Sequence, residues 1–173
     1  MENPMNYQEF IDTAEKEHRL FIDSLNEQAQ LSKERLQDIK NIKEDMDIVV
    51  FTETRCKDSA TIMPFLMKLV DLNKRLKVRF YRKEGNEEIV EKMTGENRVP
   101  TIVILDSKGF SKRHYVEFPK KLKEKLERSP IEETQSIIDD MRLGKYNHYI
   151  QEDLISFLTG KNYEYISFKR KDK

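Results

Sequence analysis

The chain has 173 residues, which suits one domain with appendages and a hydrophobic core that needs no staples. Lys and Arg together number 32, as do Asp and Glu, so the formal net charge is zero. That balance argues against nucleic acid or an anionic membrane as the main partner. One cysteine excludes an internal disulfide framework, and His18, His114 and His148 are too scattered for a metal site, so neither a metal nor another cofactor is expected.

The opening stretch, Met1 to Asn6, lacks a basic region followed by an apolar one. Nor does any segment approach the roughly 20 apolar residues of a membrane span. With a single free thiol, these features fit a reducing cytoplasm. Tyr7, Phe10, Ile11, Ala14, His18, Phe21, Ile22 and Leu25 recur at helical spacing and predict one amphipathic helix, with His18 a core or rim residue rather than a ligand. Ser32 is placed to cap a second helix carrying Leu36, Ile39 and Ile42.

The texture then changes. Ile48-Val49-Val50-Phe51 is a continuous, β-branched-rich run, as expected of a strand buried on both faces. A helix from about Ser59 to Asn73 follows. Val78, Phe80 and Arg82 mark a second strand, and Glu87 to Met93 a short helix ending near Gly95. Thr101 to Leu105 is a further buried strand, Asp106 to Gly109 a hairpin turn, and His114 to Phe118 the returning strand. Ser129-Pro130-Ile131-Glu132 reads as the start of a helix with proline at its first position, running through Ile137, Ile138 and Met141 to Leu143. Tyr149 to Leu158 is the last helical segment, and Lys169-Arg170-Lys171 reads as a frayed, solvated end. The methionines read as packing residues.

One constellation carries chemistry. Cys56-Lys57-Asp58-Ser59 lies between a buried strand and a helix start, where unpaired N–H groups and the helix dipole favour a thiolate. Arg55 and Lys57 are expected to lower the thiol pKa further and Asp58 to oppose them. Ser59 can donate to the sulfur but cannot attack it.

These residues resemble the thioredoxin superfamily. The C-x-x-S form of its C-x-x-C motif follows the first core strand; Pro64 lies eight residues past Cys56; and Val99-Pro100-Thr101 looks like the cis-proline loop, with Pro100 44 residues beyond Cys56. Within the superfamily, the segment Glu53 to Ser59 with Ile62-Met63-Pro64 looks closest to a bacterial branch reading roughly W-C-G-D-[CS], with a helical N-terminal extension. The resemblance implies an α/β thioredoxin-like fold, a central mixed sheet flanked by helices. It divides the chain into an extension over residues 1–45, a thioredoxin-like domain over 46–145, and a C-terminal helix and tail over 146–173. It makes Cys56 the nucleophile, assisted by Ser59 and Lys57, and gives Arg55, Val99, Pro100 and Thr101 to substrate binding.

The departures matter as much. Arg55 stands where the family has tryptophan, Ser59 replaces the resolving cysteine, and Val50 occupies the place of the buried relay aspartate. The expectation is therefore a monothiol thiol–disulfide oxidoreductase, forming mixed disulfides with client proteins or a low-molecular-weight thiol and resolved by an external thiol. The alternatives are a non-catalytic binding module on the same scaffold and a redox sensor that dimerises through Cys56. The sequence leaves the oligomeric state open.

Overall fold

The computed structural model describes Met1 and residues 3–170. Three helices, α1 (Tyr7–Asp12), α2 (Lys16–Gln28) and α3 (Leu36–Lys40), precede β1 (Met46–Thr52). The chain continues through α4 (Lys57–Val70), β2 (Leu76–Arg82), α5 (Glu87–Thr94), β3 (Thr101–Leu105) and β4 (Ser111–Val116), then α6 (Lys120–Arg128), α7 (Ile131–Arg142) and α8 (Asn147–Thr159). The sheet order is β2-β1-β3-β4, with β1 and β2 parallel and the other two pairs antiparallel. This is an α/β thioredoxin-like fold: a central mixed sheet flanked by helices, with a helical extension before β1.

Ile48, Val49, Val50 and Phe51 are all fully buried, as their continuous run required of the inner strand. Alternation sends Ile48 and Val50 to one face, where α4, α8 and the extension pack, and Val49 and Phe51 to the other, covered through Val90 of α5. Pro64 lies inside α4, and Gly95 closes α5 in the left-handed region (φ 72°), which glycine enters without steric cost.

Several sequence expectations need correction. The single N-terminal helix is two. Asn6 starts α1 with a reciprocal capping box to Glu9, and the Thr13 hydroxyl donates to the Phe10 carbonyl at its end, so the chain breaks before α2. Phe21 on the proposed apolar stripe is exposed, while Ile22 is buried. Ser32 does not cap α3, which starts after Arg35 in a left-handed conformation; its amide donates instead to Gln151. Ser129 ends α6, its hydroxyl donating to the Lys125 carbonyl, and Pro130 leads into α7. The returning strand stops at Val116 because Glu117 takes a positive φ of 63°.

The helix that closes the core is α8. Ile150, Leu154, Ile155, Phe157 and Leu158 are buried there against α3, α4, α6 and β4, while α7, as its spacing predicts, adds Ile137, Ile138 and Met141 to the same core and leaves Ile131 exposed.

The C-terminal end is not frayed at Arg170, which is anchored to buried carboxylates. Lys171 lies outside the described residues. Both outer strands carry added contacts: Met5 exchanges two backbone hydrogen bonds with Phe80 of β2, and the Tyr163 hydroxyl donates to the His114 carbonyl of β4. No helix among the described residues is long and apolar enough to cross a membrane.

Candidate functional site

The site begins where β1 ends. A turn closed by the Cys56 amide donating to the Glu53 carbonyl (3.1 Å) carries the chain into α4. Cys56 is the N-cap residue, in extended conformation, and its sulfur accepts from the Ser59 amide at 3.4 Å, satisfying one of the orphan donors of the helix start. On its other side the half-buried thiol donates to the Val99 carbonyl at 3.8 Å, a weak contact of the kind a sulfur donor makes. The Val99–Pro100 peptide bond is cis.

Cys56, Ser59, Val99 and Pro100 therefore converge. The other residues marked in the sequence stand differently. Arg55 and Lys57 are exposed. Thr101 is fully buried, and its hydroxyl donates to the Arg98 carbonyl at 2.6 Å, holding the loop from behind. The Ser59 hydroxyl is buried without a hydrogen-bond partner among the described residues. It borders a cavity of about 10 Å³ lined also by Tyr7, Phe10 and Ile22, so the N-terminal helices form the back wall of the site.

The electrostatics reverse one expectation. Burial pushes the Cys56 thiol up, and Asp58 pushes it further in the same direction. The hydroxyl and amide of Ser59 and the amide of Asp58 oppose this and are outweighed. Arg55 and Lys57 are exposed to water, which screens their pull on the thiol. The helix N-terminus is present, but desolvation decides the sign.

Beside the thiol is an ion cluster that no local spacing announces. Asp58, 4% exposed, accepts from Arg142 Nε at 2.8 Å and Arg170 Nη2 at 3.0 Å. Glu117, also 4% exposed, accepts from Arg170 at 2.7 and 3.0 Å and from Arg98 at 2.8 Å. Arg98 also pairs with Glu96 at 2.7 Å. Burial pushes the Glu117 carboxyl up, partly offset by Arg170 and Arg98. The Glu96 carboxyl is pushed up by burial but held below the usual range on balance, because Ser167, Tyr165 and Arg98 all donate to it. The Glu117 amide donates to the Pro100 carbonyl at 2.8 Å, so the cluster and the loop are built from the same stretch of chain. These partners come from α4, α7, the tail and the loops around β3 and β4, far apart in sequence. Asp58 was the only member whose position beside Cys56 could mark it in advance.

A family model described as Thioredoxin (Thioredoxin_9) matches residues 4–135. The chain belongs to the thioredoxin family. Among solved structures, it is similar to a protein of unknown function, PA1234 from Pseudomonas aeruginosa, with a TM-score of 0.74 and 13% identity over 91% of this chain and 93% of that one. It is similar also to an HIV epitope-scaffold, with a TM-score of 0.73 and 14% identity over the same shares. At these identities the likeness establishes the fold alone. No curated protein matches the sequence. Among the described residues of this thioredoxin-family chain, no group of three or more His, Cys, Asp or Glu could hold a metal ion.

Proposed function

We propose that the chain is a thioredoxin-fold binding module that receives an extended polypeptide segment at the Val99–Pro100 loop, with Cys56 as a contact residue rather than a cycling nucleophile. The observation that carries this reading is the state of the thiol. It is half-buried, burial and Asp58 push its pKa up, and its contact with the Val99 carbonyl exists only for the protonated form. The thiolate is the nucleophilic species, so a thiol whose pKa is pushed up by burial exchanges more slowly than a free one. Ser59 stands where a resolving cysteine would be needed, and fully buried Val50 stands where a relay acid would be. The loop itself supplies backbone groups able to pair with an extended segment, and Val99 is partly open to solvent.

A monothiol exchange reaction is the second reading, favoured by one observation: the Ser59 amide at 3.4 Å is aimed at the sulfur and would stabilise a thiolate once formed. In that case a client cysteine or a small thiol would form a mixed disulfide with Cys56, and an external thiol would release it. Immobilised native chain and Cys56→Ser, exposed to the same cell extract, separate the two readings. The binding module predicts the same partners on both, eluted without reductant. Partners held only by the native chain and released only by reductant would refute it and establish exchange.

A further inference from the structure

The residues after α8 run across the loop side of the site, yet they are held in an unusual way. Between Tyr163 and Arg170 there is no regular secondary structure and, among the described residues, no backbone–backbone hydrogen bond. Side chains do the holding. The Tyr165 hydroxyl donates to Glu96 at 2.6 Å, as does the Ser167 hydroxyl. Lys123 Nζ donates to the Ile166 carbonyl at 3.0 Å and lies 4.5 Å from the Tyr165 ring centre. Phe168, 1% exposed, meets Phe118 edge-on at 6.2 Å, and Arg170 reaches Asp58 and Glu117. Tyr163 and Phe168 join the main hydrophobic core, whereas from Glu164 to Ile166 and again at Ser167 and Arg170 the segment is held by side-chain anchors on a preformed surface, as a bound peptide is.

Two of the anchors also flank the loop. The Glu117 amide donates to the Pro100 carbonyl, and Asp58 follows Cys56 by two residues. The charges suit a removable occupant. Three carboxylates (Asp58, Glu96 and Glu117) face three guanidiniums (Arg98, Arg142 and Arg170). If Arg170 leaves, Asp58 keeps Arg142 and Glu117 keeps Arg98, so neither buried carboxylate is orphaned, while the cluster loses one positive charge. Arg170 is also the most open of the three arginines, its side chain 41% exposed.

We infer that Tyr163–Arg170 is a self-docked competitor, a strap that a partner segment displaces by presenting an aromatic side chain to Phe118 and a cationic one to Asp58 and Glu117. The inference rests on the binding-module reading of the same loop. Tethered to α8 by a few residues, the strap meets its ground at an effective concentration in the millimolar range, so a free segment of like chemistry is outcompeted until the strap lifts.

The test uses the full chain and a fluorescently labelled synthetic peptide spanning residues 163–170, with binding read by anisotropy. Arg170→Glu sets a third carboxylate against Asp58 and Glu117 and opens the strap. A second variant, Tyr165→Phe with Ser167→Ala, removes both hydroxyl donors to Glu96 and loosens the strap without a charge reversal. Binding at least tenfold tighter to both variants than to the native chain is expected, with a peptide carrying the Arg170→Glu change binding none of them. Equal binding by native chain and variants, or binding by none, overturns the inference. Extract partners retained by Cys56→Ser alongside a failed peptide test would sink the strap alone. A successful peptide test alongside partners that need the thiol would sink the binding-module reading instead.

Discussion

Replacing Asp58 by alanine tests whether the ion cluster is wired as described. Asp58 accepts two charge-assisted hydrogen bonds, at 2.8 Å from Arg142 and 3.0 Å from Arg170, with its side chain 5% exposed. Bonds to charged groups contribute about 1.5–3 kcal/mol each, so the gross loss approaches about 3–6 kcal/mol. Two features reduce it. Arg142 retains Asp139 at 3.1 Å and Arg170 retains Glu117 at 2.7 Å, so neither arginine is left alone. The cost of holding the carboxylate out of water disappears with the group. The expected net loss is about 2 kcal/mol, below the roughly 3–5 kcal/mol seen when a buried pair is broken and its partner stranded. For a chain of this length that is a fall in Tm of about 4–8 °C. Urea unfolding followed by circular dichroism gives the free energy. Alkylation of Cys56 as a function of pH gives a second readout, because Asp58 is one of the groups pushing the thiol up and its removal moves the midpoint down. A stability loss below about 0.5 kcal/mol, the range of ordinary surface changes, together with an unmoved thiol midpoint would refute the reasoning.

Other positions give independent checks. Asp153 on α8 accepts from the Lys120 amide at 3.0 Å, capping α6, and burial raises its pKa to about 6, opposed by that bond and by Lys123. Since an unfolded aspartate titrates near about 3.9, the folded state binds the extra proton between those values, and this group's contribution to stability falls as pH rises from about 4 to 6. Asp153→Asn keeps an acceptor for Lys120 and removes that slope, so its urea midpoint relative to the native chain should rise between pH 4 and pH 7; an unchanged difference would contradict the assignment. Leu154→Ala, at a fully buried position of α8, should cost about 2–5 kcal/mol in the same assay. Leu143→Ala, at a residue 77% exposed after α7, should stay within about 0.5 kcal/mol, and similar losses at both would mean α8 does not close the core.

The parts of the fold legible in advance are those where one local signal suffices. The buried runs at Ile48–Phe51 and Thr101–Leu105, and the joint spacing of Cys56, Pro64 and Pro100, mark both the strands and the family. Helix α6 escapes because its apolar content is two residues, Leu122 and Leu126, amid lysines and glutamates; Lys123 buries its stem and caps the Ile166 carbonyl, which composition does not reveal. The precedence of α8 over α7 in the core escapes too, since both carry isoleucines at helical spacing and only packing ranks them. The ion cluster joins residues 84 and 112 positions apart in the pairs Asp58–Arg142 and Asp58–Arg170, beyond the reach of any spacing rule. The same distance hides the anchoring of the tail. The direction of the thiol pKa is hidden for a plainer reason: helix start and flanking cations are visible in sequence, whereas the depth at which a side chain sits is not, and here depth decides.

Titrating Cys56 itself tests the central claim most directly. The chain has one cysteine, so the pH dependence of alkylation by a small reagent such as iodoacetamide reports this thiol without ambiguity. A midpoint above the roughly 8.5 of a free cysteine is predicted, because burial and Asp58 outweigh the donors at the helix start. A midpoint near or below about 7, in the range of activated thiols, would contradict the account and return Cys56 to the role of nucleophile.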